Sequence, residues 1–241
     1  MGQVAMKPLS NRDFLDLWEQ GSSMHPLDRA LLALGLAVPE AQHGMPADWP
    51  LGRRNRALVE LRCACFGSRL KAWTACTRCA EKMEFELDGK VLAQSANDAD
   101  YGGGAVVVNG QKFRLPTSRD VALVARESDS EIAARRLAER CRIAGDDSAA
   151  CPVTDLEEVG RQMSLADPMA EILIALACPA CGNDNSTHLD IAGFLWTEIE
   201  ARAKRLLLEV HTLASAYGWT EQTVLSLSEH RRAAYLQLVR E

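Results

Sequence analysis

The sequence predicts an α+β fold, mostly helical, in which zinc-ribbon-like β knuckles combine with a helical insert and a long C-terminal helix. Three observations carry this. Ala, Leu, Glu and Arg are abundant and aromatics make up only 5%, which favours helix over sheet. Two CxxC pairs, Cys76/Cys79 and Cys178/Cys181, each lie beside a strand-like run. Residues 192–216 carry one apolar stripe: Leu195, Ile199, Leu206, Val210, Leu213 and Tyr217, spaced 4, 7, 4, 3 and 4. These six project within about 60° on a helical wheel.

The elements follow in chain order. Residues 1–24 read as a polar arm with a short amphipathic turn at Phe14, Leu15, Leu17 and Trp18. A helix is expected over 26–37, with Pro26 in its first turn. Residues 39–52 hold three prolines and two glycines and read as loop. A second helix is expected over 53–65, opened by Arg53, Arg54 and Arg56. Met83 to Leu87 alternates with period two and reads as a strand. Residues 93–104 read as loop, with glycines at 102–104. Asn109-Gly110 between two β-prone runs, 105–108 and 111–115, is a hairpin signal, because a type I′ turn needs positive φ twice.

Helices are expected over 119–127 and 130–143, then over 155–164, where Thr154 and Glu157 have capping-box spacing. Asp167-Pro168 reads as a cap and first-turn pair, and 172–177 leads into the second cysteine pair. Thr187 to Ile191 reads as a short strand. Glu198/Arg202 and Arg205/Glu209 are i,i+4 pairs on the long helix, and Gly218 is a left-handed stop. Helices over 220–226 and 229–239, capped by Thr220 and Ser228, finish the chain. The expected organisation is a single discontinuous zinc-centred domain. Its parts are an arm and helix (1–50), a first knuckle with hairpin (51–117), a helical insert (118–164), a second knuckle (165–191) and a long helix with a helical pair (192–241).

The cysteine pairs carry the chemistry. Zinc takes four soft ligands in a tetrahedron, and two CxxC turns supply them. Pro179 pre-sets the second turn and Gly182 lets the chain pass the metal closely. Between Cys79 and Cys178 lie 98 residues, far more than in common ribbons. Closing that longer loop costs only about 1–2 kcal/mol extra, against on the order of 10 kcal/mol from a structural zinc. The metal wins that comparison. Buried free cysteines are the bland alternative, and two pairs beside strands argue against it. A thioredoxin-like dithiol wants a helix directly after its CxxC, and neither pair has one. His188 tempts as a ligand, but four thiolates make it redundant. Cys63, Cys65, Cys141 and Cys151 read as small buried groups.

Other classes recede. The sequence holds no GxSxG, HExxH or P-loop, so no catalytic residue and no small-molecule substrate is indicated, and a non-enzyme is expected. The formal net charge of −6 argues against a general nucleic-acid binder, whose affinity comes from neutralising phosphates. The run Arg53, Arg54, Arg56, Arg62, Arg69 and Lys71 keeps a zinc-ribbon nucleic-acid-binding module as the alternative reading. No window is apolar enough to span a membrane, and no secretory signal opens the chain, so a reducing cytoplasmic setting is expected. Trp196, Tyr217, Trp219 and Tyr235 concentrate large rings near the C-terminus, where they could anchor a partner or cap a helical core.

The C-terminal string carries a resemblance in Phe194-Leu195-Trp196, Glu198-Ile199, Glu209-Val210-His211, Ala216-Tyr217-Gly218-Trp219 and Arg231-Arg232-Ala233-Ala234-Tyr235-Leu236. Further upstream it includes His25-Pro26-Leu27-Asp28-Arg29-Ala30, Phe66-Gly67, both cysteine pairs, Arg114-Leu115-Pro116-Thr117 and Asp167-Pro168. Together these residues resemble the T-even-family baseplate hub assembly chaperones and related baseplate proteins of contractile tails and contractile injection systems. The first knuckle departs from the family's usual CPxCG form and reads CTRCA. The resemblance implies a non-enzymatic protein of tail assembly that helps build the baseplate or its central hub, or occupies it. Contacts with baseplate or hub proteins are expected through Trp196, Tyr217, Trp219, Arg231, Arg232 and Tyr235, in the cytoplasm of the host or in the assembled particle.

Overall fold

The computed structural model describes residues 6–38, 44–95, 105–143 and 155–240. Four helices build its main core: α1 (Asn11–Gly21), α2 (Pro26–Ala37), α3 (Leu51–Phe66) and α8 (Ile191–Tyr217). Leu17, Leu34, Leu58, Leu61, Leu195, Ile199 and Leu206 meet there and are buried to 1% exposure or less. Burying each such side chain is worth roughly 1.5–3 kcal/mol. Between α3 and α8 the chain runs through β1 (Arg69–Ala75), β2 (Lys82–Asp88), α4 (Gly89–Ser95), β3 (Ala105–Val108), β4 (Gln111–Arg114), α5 (Ser118–Val124), α6 (Ser130–Cys141), β5 (Arg142–Ile143), α7 (Leu156–Ala166), β6 (Leu173–Ala177) and β7 (Asp184–His188). After α8 come α9 (Glu221–Ser226) and α10 (Glu229–Arg240). The fold is α+β and mostly helical, with three small antiparallel sheets among the described residues.

Each helix starts where a polar group can take its free N–H groups. Ser10 and Asp13 form a reciprocal capping box on α1. His25 Nδ1 accepts from Leu27 N–H at the start of α2. Pro50 offers α3 no side-chain cap. The buried Asp167 supplies it from a distance, its Oδ2 accepting from Gly52 N–H at 2.8 Å. Asn55 Nδ2 donates to the carbonyls of Met169 and Ala170 at 2.8 and 3.2 Å. The segment leading into β6 is thereby pinned to α3. Gly218 ends α8 at φ 68°.

Arg62 ties α3 to α8. It donates to both oxygens of Glu198 at 2.9 and 2.7 Å, with only 4% of its side chain exposed. The three strands β3, β4 and β5 pack with α6 and α7 around Phe113, Val106, Val108, Ala138 and Val159, a second small core. The hairpin turn follows the sequence rule, with Asn109 at φ 49° and Gly110 at φ 78°. Asp120 locks this insert together. It is 1% exposed and accepts from Arg114, Arg140 and the Thr117 N–H and hydroxyl, at 2.6–2.9 Å.

Several expectations are corrected. The arm is a full helix, because Ser10 caps it and Phe14, Leu15 and Leu17 are buried. The strand Arg69–Ala75 and the helix Gly89–Ser95 were not foreseen. The second ribbon's return strand is Asp184–His188, not Thr187–Ile191, because it pairs with Leu173–Ala177 straight out of the cysteine turn. The helix expected over 130–143 stops at Cys141, and Arg142–Ile143 joins the sheet. Asp167 ends α7 rather than opening a helix. Asp155 caps α7 through Glu158 N–H. Glu198 pairs with Arg62 and not Arg202, which reaches Glu229 at 2.9 Å. Arg205/Glu209 does form, at 3.6 Å. Thr154, Cys151 and the glycines at 102–104 lie outside the described residues.

Candidate metal centre

Two β ribbons carry the cysteines. β1–β2 follows α3 and turns at residues 76–81, and β6–β7 precedes α8 and turns at residues 178–183. The turns have the same hydrogen bonds. Cys76 N–H donates to Glu81 O at 2.8 Å and Ala80 N–H to Cys76 O at 3.0 Å. Cys178 N–H donates to Asn183 O and Gly182 N–H to Cys178 O, both at 2.9 Å. Each turn reverses through a left-handed residue after its second cysteine, Ala80 at φ 60° and Gly182 at φ 67°. Cys-x-x-Cys followed by one left-handed residue curls both thiols to the inside of the turn.

The tips meet. Cys76 Sγ lies 3.7 Å from Cys181 Sγ, and Cys79 Sγ lies 3.6 Å from Cys178 Sγ. All four sulfurs lie within 4.8 Å of one another. A tetrahedron of sulfurs about 2.3 Å from a central ion has edges of about 3.8 Å. Disulfide sulfurs are about 2.05 Å apart. The arrangement therefore fits a four-thiolate metal site and not a pair of disulfides.

The electrostatics agree. The N–H groups of Cys79 and Arg78 favour an ionised Cys76 and pull its thiol down to about 6. The Glu81 N–H favours an ionised Cys79, but sharing protons with Cys181 and its neighbours pushes Cys79 up to about 12. Four sulfurs this close cannot all carry charge unless a cation sits among them. Cys141 contrasts with these: it is fully buried, and burial pushes its thiol up to about 11. Cys63 and Cys65 are half-buried, and burial raises both. Cys65 Sγ accepts from Leu9 N–H at 3.4 Å. His188 stands at the base of the second ribbon, 65% exposed and 3.2 Å from Glu171.

Around the sulfurs Met83 and Leu176 form a small apolar collar that shares no residue with the helical core. Asn185 is a neighbour that sequence reasoning missed. It is buried to 7% exposure, and its Oδ1 accepts from the Thr77 N–H and hydroxyl of the other knuckle, both at 2.9 Å. Its Nδ2 donates to Asn183 O at 2.8 Å and to Cys76 Sγ at 3.7 Å. No periodicity marks a lone Asn in Asp184–His188. The signal was its position seven residues after Cys178, where the first knuckle has the buried Met83.

The proposed contact residues divide. Trp196 is 9% exposed, packed over Gly21 with the Arg29 guanidinium 4.6 Å from its ring centre. Arg232 is 1% exposed and bonded to Glu209 at 2.8 Å. Both are core residues, which corrects their assignment as contacts. Tyr217, Trp219 and Tyr235 form one aromatic cluster, with ring centres 4.8–5.8 Å apart. Tyr217 is 39% exposed, Trp219 and Tyr235 are half-buried, and Arg231 is exposed. In the basic run, Arg54 and Arg62 are buried, Arg56 pairs with Glu60 at 3.0 Å and Arg53 lies 4.4 Å from the centre of the Trp49 ring. Most of its charge is thus engaged within the fold.

No helix among the described residues is long and apolar enough to cross a membrane. Comparison with protein-family models, with curated proteins and with solved structures found no match for this chain.

Proposed function

We propose that the chain is a zinc-stabilised, non-enzymatic assembly protein that works through protein–protein contacts in the baseplate or hub of a contractile tail. One observation carries the reading. At the far end of the 27-residue helix α8, Tyr217, Trp219 and Tyr235 form a partly exposed aromatic cluster, and α10 also carries the exposed Arg231; Trp, Tyr and Arg are the residues on which binding interfaces concentrate their energy. The same residues lie in the segments that resemble the baseplate hub assembly chaperones. Zinc is the ion this donor set suits best, because four thiolates in a tetrahedron select zinc or iron and a closed shell leaves no open position for catalysis.

The metal fixes the two ribbons to each other, while the shared apolar core and the Arg62–Glu198 pair hold α3 to α8. On that packed trunk the helical end is presented as a rigid surface, which lowers the ordering cost of binding. Assembly would take place in the host cytoplasm.

The test has two arms. Elemental analysis of the purified chain is expected to show about one zinc per chain, lost in Cys178→Ser. Co-expressed baseplate and hub proteins are expected to be captured by the wild type and not by Trp219→Ala, with the melting temperature of that variant little changed. Undiminished capture by Trp219→Ala, or a collapse of its melting temperature, overturns the docking surface. A genome neighbourhood without sheath, tube or spike genes overturns the baseplate assignment.

A further inference from the structure

The two knuckles are related position by position in their backbone turns, and two of the exceptions in their side chains meet across the site. Cys76, Cys79 and Ala80 match Cys178, Cys181 and Gly182. Thr74 pairs with Met83 as Leu176 pairs with Asn185. Within this frame Thr77 stands where the second knuckle has Pro179, and Met83 stands where it has Asn185. The two exceptions are coupled across the site. Thr77 has an N–H to donate, and Asn185 Oδ1 accepts it at 2.9 Å. Pro179 has no N–H, and the residue at the position equivalent to Asn185 is an apolar methionine.

We infer that Asn185 is a positioning residue of the metal centre, binding the first knuckle to the second and supplying an N–H to the Cys76 sulfur. The inference rests on the metal reading above. Both ends of the amide are engaged. The carbonyl oxygen holds the turn between Cys76 and Cys79, and the amide nitrogen faces Cys76 Sγ at 3.7 Å and Met83 Sδ at 3.8 Å. Asn183 Nδ2 adds a weaker bond to the Thr77 hydroxyl at 3.4 Å. An N–H aimed at a thiolate draws off electron density and steadies its direction, and outer partners of this kind carry much of a site's affinity.

Cobalt(II) titration of the full chain tests this, because sulfur-to-cobalt charge transfer reports directly on the sulfur. Asn185→Met is expected to bind cobalt about 10–100-fold more weakly. Its charge-transfer band should move to lower energy, since a sulfur without the N–H gives up electrons more easily. The double variant Thr77→Pro/Asn185→Met gives this pair the residue types of the equivalent pair, Pro179 and Met83. It should recover affinity while its band stays displaced, a split that a purely structural role would not produce. Wild-type affinity and band position in Asn185→Met overturn the inference. If that variant does not fold, an undisplaced band in the double variant overturns it equally. Absence of cobalt binding by the wild type is a different result: it removes the metal reading itself, and this inference with it.

Discussion

Ala80 and Gly182 occupy the same left-handed position in two superposable turns, at φ 60° and 67°. Exchanging their identities therefore makes a matched experiment. An L-residue there costs roughly 1–2 kcal/mol relative to its ordinary conformations. Glycine avoids that strain but loses about 0.4–1 kcal/mol more to chain entropy on ordering. Ala80→Gly should accordingly stabilise its turn by about 0.5–1 kcal/mol, and Gly182→Ala should destabilise its own by the same amount. No clash confuses the second variant, because a Cβ at Gly182 meets nothing within 4 Å. Ordering of a ligand turn enters the metal-binding equilibrium, so the difference is read as a dissociation constant. The expected change is about two- to fivefold, tighter for Ala80→Gly and weaker for Gly182→Ala. Competition for zinc against a chromophoric chelator measures it. Shifts of the same sign in the two variants would refute the reasoning, because they would mean that the left-handed residue is not what the turns share.

Three further outcomes are expected. Gly52→Ala would drive a Cβ into Asp167 Oδ1, displacing the side-chain cap that Asp167 gives α3; a loss of about 1.5–3 kcal/mol is expected by urea unfolding. Glu198→Ala leaves Arg62 buried without its partner and should cost about 3 kcal/mol, whereas Arg62→Met/Glu198→Leu should cost clearly less, a cycle that urea titration can close. Burial pushes the Asp120 carboxyl up, but Arg114 and the Thr117 N–H and hydroxyl hold it well below the usual carboxylate range. Its stabilisation is thus complete above about pH 4, the unfolded value, and is lost as pH falls toward the folded one. Asp120→Asn should lower the urea midpoint at pH 7 and flatten its fall between pH 4 and pH 2.

What could be read from the sequence was whatever depended on short-range chemistry. The cysteine spacing, the Asn109-Gly110 turn, the Pro26 start and the Gly218 stop all act within a few residues, and the structure has each where expected. The strand Arg69–Ala75 was hidden because its outward face alternates charges with Trp73, which is 61% exposed. An apolar residue on the wet side erases a period-two signal. The return strand Asp184–His188 was misplaced for the opposite reason, since its inward residue is the polar Asn185. Arg232 looked like a surface cation and is buried, because Glu209 on the neighbouring helix supplies its counter-charge. Trp196 looked like an anchor and is core, because Gly21 leaves it a seat. Such partners come from other elements and leave no local trace.

The sulfur cluster lies at the tips of two arms, and its apolar collar is separate from the trunk formed by α1, α2, α3 and α8. Withdrawing the ion therefore acts on a joint and not on a foundation. The arms are released while the trunk keeps its shape, so a chelator would turn a braced frame into a hinged one without unfolding it.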